Sequence, residues 1–226
     1  MLSREQLASY IDHTQLKPIA THDDIAKLCD EAIEYGFHSV CVNSCYVKHA
    51  ADKLLKTPVK VCATTGFPLG AMSKEAKAFE AAEAVKAGAT EIDMVANLGL
   101  FKSGDYFGVT EDINAVVSAV KQLNSEAIVK VILETCYLDS YEKVSICKLA
   151  MDGGADFVKT STGFGPGGAT VEDVILLKKM VGDSLGVKAA GGIRDLETAV
   201  AMIEAGATRI GASAGVRLIN EIKEKE

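Results

Sequence analysis

The 226-residue chain carries 24 Lys and Arg against 31 Asp and Glu, and its net charge of −7 argues against a nucleic-acid or anionic-membrane surface as the main partner. A composition of 48% hydrophobic and 24% charged residues belongs to a folded globular protein rather than a disordered or fibrous one. The opening MLSREQLASYIDHT has no long apolar core behind a basic stretch, and no window reaches about 18 uninterrupted apolar residues. A cytoplasmic location is therefore expected, without secretion or membrane spanning.

Taken in chain order, strands are expected at YIDHT (10–14), SVCVN (39–43), KVCATTG (60–66), EIDMVAN (91–97), IVKVILE (128–134), FVKTS (157–161), GVKAAGG (186–192) and RIGAS (209–213). Amphipathic stretches separate them. Thr21, Ser73, Thr170 and Asp195 are expected helix N-caps, and Leu196, Ala199, Val200 and Ile203 fall on one helical face at i, i+3, i+4, i+7. Such alternation demands parallel strands with crossover helices. The expected fold class is α/β, a single eight-stranded parallel (β/α)8 TIM barrel formed by one domain over residues 1–226.

Four segments, YGFHSVCVN, AGATEIDMV, GGADFVKTS and AGATRIGAS, align without gaps on Gly36, Gly88, Gly154 and Gly206. Each glycine is expected to end a helix in the left-handed conformation. Offsets +4 and +6 from it hold Val40 and Val42, Ile92 and Met94, Val158 and Thr160, Ile210 and Ala212, the face that meets the helices. Strand alternation then sends offset +5, which is Cys41, Asp93, Lys159 and Gly211, into the barrel. The same parity turns Lys188 and Lys130 inward, with Asp12 facing them. His13 has the opposite parity and is expected to be structural or loop-facing.

An inward Lys/Asp pair by itself could be a buried salt bridge that serves only structure. Several inward lysines facing Asp12 and Asp93 are costly to bury for stability alone, and the pattern fits amine nucleophilic catalysis. One lysine attacks a carbonyl while a neighbouring ammonium keeps it neutral and a carboxylate moves protons. The seventh strand ends in AAGGIRD and the eighth in GASAG, the two positions where barrels frequently hold phosphate. Gly191 and Gly192 permit close backbone approach, Arg194 adds charge, and Ser213 adds a donor near a helix start; the glycines could also serve tight turns alone.

GFGPGG (163–168) matches the dinucleotide fingerprint G-x-G-x-x-G. It falls in the sixth repeat unit, contains Pro166, and is followed about twenty residues on by Lys188 rather than an acid, so it reads as a mobile active-site loop. The six cysteines contain no CxxC pair and are expected to be reduced. Cys41 and Cys45 find no further ligands to complete a metal site, so no metal is expected, and Cys41 reads as a wall residue rather than a nucleophile.

The segments FVKTSTGF (157–164), EIDMVANLG (91–99), VKAAGGIRD (187–195) and IDHTQLKP (11–18) together resemble the deoxyribose-phosphate aldolase family of class I aldolases over essentially the whole chain. The resemblance implies reversible cleavage of 2-deoxy-D-ribose 5-phosphate to D-glyceraldehyde 3-phosphate and acetaldehyde, with no cofactor. It assigns the Schiff base to Lys159, its perturbation to Lys188 and proton relay to Asp93, assisted by Asp12 and Thr14. Substrate and phosphate contacts fall to Cys41, Thr162, Gly163, Gly191, Gly192, Arg194, Gly211 and Ser213. A small sugar phosphate and acetaldehyde are the implied partners, and the implied assembly is a homodimer or homotetramer. Two departures stand out: Phe164 occupies a position where some members carry a phosphate-binding lysine, and the ending NEIKEKE lacks the C-terminal tyrosine of some members, leaving open which group protonates the enamine. The residues themselves leave two other readings, a phosphate-binding isomerase or synthase and a non-catalytic sugar-phosphate-binding barrel.

Overall fold

The computed structural model describes residues 2–222, so the tail in which the tyrosine is lacking lies largely outside the described residues. The strands are β1 (Ile11–Gln15), β2 (Ser39–Val42), β3 (Lys60–Thr65), β4 (Glu91–Val95), β5 (Ile128–Ile132), β6 (Phe157–Lys159), β7 (Gly186–Ala190) and β8 (Arg209–Ala212). They pair in parallel and in chain order, and β8 closes on β1. Outside them run α1 (Arg4–Ala8), α2 (His22–Tyr35), α3 (Val47–Lys53), α4 (Lys74–Lys86), α5 (Leu98–Lys102), α6 (Tyr106–Leu123), α7 (Ser140–Asp152), α8 (Val171–Val181), α9 (Leu196–Glu204) and α10 (Gly215–Asn220). This is the (β/α)8 barrel expected from the repeat. Most observed strands end one or two residues before the expected C-terminal limits, because the chain there leaves the ladder and turns into the loops that form the barrel mouth.

The local signals act as their chemistry dictates. Thr21, Ser73, Thr170 and Asp195 each accept a backbone N–H three residues on, a cap that contributes about 1 kcal/mol. Gly36, Gly88, Gly154 and Gly206 all have positive φ. Gly36 is itself the cap of α2, whereas the other three lie one residue beyond their caps.

Val40, Val42, Ile92, Met94, Val158, Ile210 and Ala212 join the main apolar cluster between sheet and helices, the layer that buries the outer face of a parallel sheet. His13 is buried on this outer side, where Nε2 lies 2.7 Å from Glu31 and the ring packs on Phe37. Outside the barrel, Lys77 on α4 donates to Asp112 on α6 at 2.6 Å and to the Val95 carbonyl at 2.9 Å. Burial lowers the Lys77 pKa and raises that of Asp112, while the paired hydrogen bonds compensate for much of the desolvation. Among the described residues no helix is long and apolar enough to cross a membrane.

Candidate active site

Asp93 stands at the centre of the barrel interior, fully buried on β4. Its Oδ2 accepts from Lys159 Nζ and from Lys188 Nζ, each at 2.8 Å. Oδ1 accepts from Lys130 Nζ at 2.9 Å and from Cys62 Sγ at 3.1 Å. Lys188 also reaches Asp12 Oδ2 at 2.5 Å, and Asp12 Oδ1 accepts from Ser39 at 2.7 Å and Arg209 at 2.8 Å. Glu91, two residues before Asp93 and so on the same face of β4, lies 2.5 Å from Lys130, 3.1 Å from Arg209 and 2.9 Å from His38.

Burial pushes the carboxyls of Asp93 and Asp12 upward, but the surrounding cations overcome it. Lys130, Lys159 and Lys188 hold Asp93 well below the usual carboxylate range, and Lys188, Lys130 and Arg209 do the same for Asp12. The reciprocal holds for the amines: burial favours neutral lysine, yet Asp93 raises Lys130 and Asp12 with Asp93 raises Lys188. Lys130, Lys159, Lys188 and Arg209 thus face Asp12, Glu91 and Asp93. The layer is electrically balanced when one of those cationic side chains is neutral, and net charge in a dry interior is costly.

Lys159 differs from the other two lysines in position. It lies at the end of β6 and lines a cavity of about 220 Å³ at the barrel mouth; Lys130 and Lys188 lie below and do not. The cavity wall also includes Thr14, Thr162, Gly163, Phe164 and, from the seventh and eighth strand ends, Gly191, Gly192, Arg194, Gly211 and Ser213. Gly163, Gly191 and Gly192 have positive φ, a conformation in which a side chain would be strained. At Gly211 an added Cβ would lie 3.0 Å from Lys188 Cε, so the missing side chain is what gives Lys188 its space. Thr14 donates to the Asp12 carbonyl at 2.8 Å.

The arrangement corrects and extends the sequence reading. Cys41 does not line the cavity: it is fully buried with Cys62, Leu16 and Phe67 beside it, because the chain after β1 folds Leu16 over it. The GFGPGG segment holds no dinucleotide cradle. An added Cβ at Gly168 would lie 2.3 Å from the Gly191 carbonyl oxygen and one at Gly167 2.8 Å from Cys136 Cβ, so these glycines permit one loop to pack on two others. Glu91 and Arg209 were missed, although they share strand parity with Asp93 and Gly211; Lys130 faces inward as its parity indicated. Lys17 was missed as well; as the cation of IDHTQLKP it lines the cavity with Lys159 and Arg194, and among the described residues no carboxylate does so.

Cys41, Cys62 and Asp93 approach closely enough to share a metal ion. The donor set does not fit one, since Cys62 already donates to Asp93 and three ammonium groups surround the same carboxylate. Cys41 and Cys45 share no site, because the first is buried and the second exposed.

Comparison with known proteins identifies the family. A family model described as DeoC/LacD family aldolase matches residues 6–219. The deoxyribose-phosphate aldolase of Caldanaerobacter subterraneus subsp. tengcongensis is 58% identical over 100% of this chain and 99% of its own length. That of a Thermoanaerobacter species is 61% identical over 95% of this chain and 96% of its own. Among solved structures, a putative deoxyribose-phosphate aldolase from Coccidioides immitis superposes with a TM-score of 0.92 at 44% identity, covering 97% of this chain and 87% of that one. A deoxyribose phosphate aldolase from Aeropyrum pernix, described as a unique tetramer, gives 0.91 at 37% identity over 97% of this chain and 92% of that one. With an interior lysine–carboxylate cluster opening on a cation-lined cavity, and a family match spanning nearly all of its length, this chain belongs to the DeoC/LacD family of aldolases.

Proposed function

We propose that the enzyme reversibly cleaves 2-deoxy-D-ribose 5-phosphate to D-glyceraldehyde 3-phosphate and acetaldehyde through a Schiff base on Lys159. The observation that carries this reading is that Lys159 is the interior lysine facing the cavity while its Nζ shares one Asp93 oxygen with Lys188. The attacking form of Lys159 is its neutral amine, whose lone pair adds to C1 of the open-chain sugar. The carbinolamine loses water to give an iminium, with Asp93 passing protons between the lysines. The C3 hydroxyl then gives up its proton as the C2–C3 bond breaks. Glyceraldehyde 3-phosphate leaves, the electron pair resides in an enamine on Lys159, and protonation at C2 followed by hydrolysis releases acetaldehyde.

Asp12 and Thr14 support the relay: Asp12 holds the Lys188 ammonium and Thr14 stands at the mouth above it. Thr162, Gly163, Gly191, Gly192, Arg194, Gly211 and Ser213 form the substrate and phosphate wall. The same reading needs neither metal nor organic cofactor and places a homodimer or homotetramer in the cytoplasm, in line with the tetrameric relative from Aeropyrum pernix. The experiment is reduction with borohydride in the presence of acetaldehyde, which is expected to inactivate the enzyme and leave a two-carbon adduct on Lys159. Adducts confined to surface lysines with activity intact would reject the Schiff base.

A further inference from the structure

Glu134 is a buried carboxylate beyond the end of β5 that the mechanism above does not use. Three observations about it converge. Its backbone is in the left-handed region, at φ 49, where a non-glycine residue is strained and where such strain persists only when the surroundings enforce it. Among the described residues no cation pairs with it, unlike the carboxylates of the barrel interior. Its two oxygens instead accept mainly from Thr162, whose N–H reaches Oε1 at 3.1 Å and whose hydroxyl donates to Oε2, with the Cys136 thiol a long donor to Oε1 at 4.0 Å.

The flanking backbone explains why the side chain arrives there. Leu133 N–H donates to the Lys159 carbonyl at 2.8 Å, while Thr135 N–H donates to the Thr160 carbonyl at 3.0 Å. Two steps along one segment thus match a single step along the other, the spacing of a β-bulge with Glu134 as the extra residue. Bulges beside active sites re-aim a side chain, and this one turns the Glu134 carboxylate onto the loop after β6. The Thr162 hydroxyl, fixed by its donation to Glu134, accepts the Phe164 N–H at 3.0 Å. Gly163 is therefore held between two hydrogen-bonded neighbours, with its backbone exposed to the cavity wall.

We propose that Glu134 is a positioning residue that sets the Thr162–Gly163–Phe164 turn for the substrate's phosphate without touching the reacting atoms. This rests on the aldolase reading and adds to it the residue that orders one wall of the site. A carboxylate is suited to the task because it accepts twice and donates nothing, and a nearby anionic ligand would be repelled by it unless Thr162 screens it, as the two hydrogen bonds do.

The test uses Glu134→Ala and Glu134→Gln, with inorganic phosphate as the binding probe and both 2-deoxyribose 5-phosphate and unphosphorylated 2-deoxyribose as substrates. Glu134→Ala is expected to weaken phosphate binding about 10-fold and to lower kcat/KM for the phosphorylated sugar by a similar factor, leaving the unphosphorylated sugar nearly unaffected. Glu134→Gln, which keeps one acceptor, should lose less. Equal losses on both sugars, or unchanged phosphate affinity, would overturn the proposal. Should Glu134→Ala not fold, Glu134→Gln measured against the wild type carries the same comparison. Imine trapping on the wild type separates the two readings: absence of a Lys159 adduct defeats the Schiff base, whereas trapping with intact phosphate binding in the variants defeats only the role of Glu134.

Discussion

Replacing Lys188 with leucine removes the ammonium that bridges Asp12 and Asp93. In the variant Lys130, Lys159 and Arg209 face Asp12, Glu91 and Asp93, so the layer balances only when Lys159 is protonated, and a protonated amine cannot attack. Lys159 and Lys188 both lie 2.8 Å from the same Asp93 oxygen and are separated by at most twice that distance. At an effective dielectric of about 20, unit charges about 5 Å apart repel by about 3 kcal/mol, equivalent to about two pH units. Lys188→Leu is therefore expected to move the acidic limb of the cleavage rate upward by about two pH units, with a loss of about 100-fold near neutrality and partial recovery in alkaline buffer. The carboxylates keep Arg209 and Lys130 as partners, so the fold should survive. Rate–pH profiles at saturating and at low substrate, with thermal melting as the control, read this directly. An unshifted acidic limb would refute the charge-balance argument even if the variant were inactive, and a loss confined to KM would recast Lys188 as a substrate contact.

Arg194→Ala should weaken binding of the phosphorylated sugar by about tenfold while sparing unphosphorylated 2-deoxyribose; equal losses in steady-state kinetics would make Arg194 structural or catalytic. Acid unfolding should be steep: burial raises the Glu91 carboxyl, but Lys130 and the His38 hydrogen bond bring it from its ordinary 4.5 to about 2. Ionised Glu91 therefore stabilises the fold fully above 4.5, and the contribution is lost as pH falls through about 2. Circular dichroism of Glu91→Gln should show a shallower pH dependence over that window, and an unchanged slope would count against it. Burial pushes the Cys29 thiol up to about 11 and the Cys147 thiol up to about 12, whereas Cys45 and Cys136 are exposed. A thiol reagent on the folded enzyme should modify Cys45 and Cys136 rapidly and Cys29 and Cys147 only on unfolding, as peptide mass mapping would record.

What could be read from the chain was whatever repeats locally. A parallel strand buried on both faces alternates with period two whatever its neighbours are, so parity alone turned Asp93, Lys159, Lys188 and Lys130 inward and Val40, Ile92, Val158 and Ile210 outward. Gly36 and its three equivalents mark helix ends because only a residue without Cβ adopts that backbone freely. Contacts between strands remote in sequence are another matter, since the stagger of a closed barrel decides which inward residues share a level. That stagger brings Lys130 to both Glu91 and Asp93 and sets Arg209 beneath Asp12. It also lifts Lys159 to the cavity while Lys130 and Lys188 stay below. Cys41 shares the parity of Lys159, yet the path of the β1 loop, carrying Leu16 across it, shuts it from the cavity. Glu134 was visible only as the last letter of a strand; its left-handed turn toward Thr162 arises from a register difference between two neighbouring segments, a quantity that neither segment contains by itself.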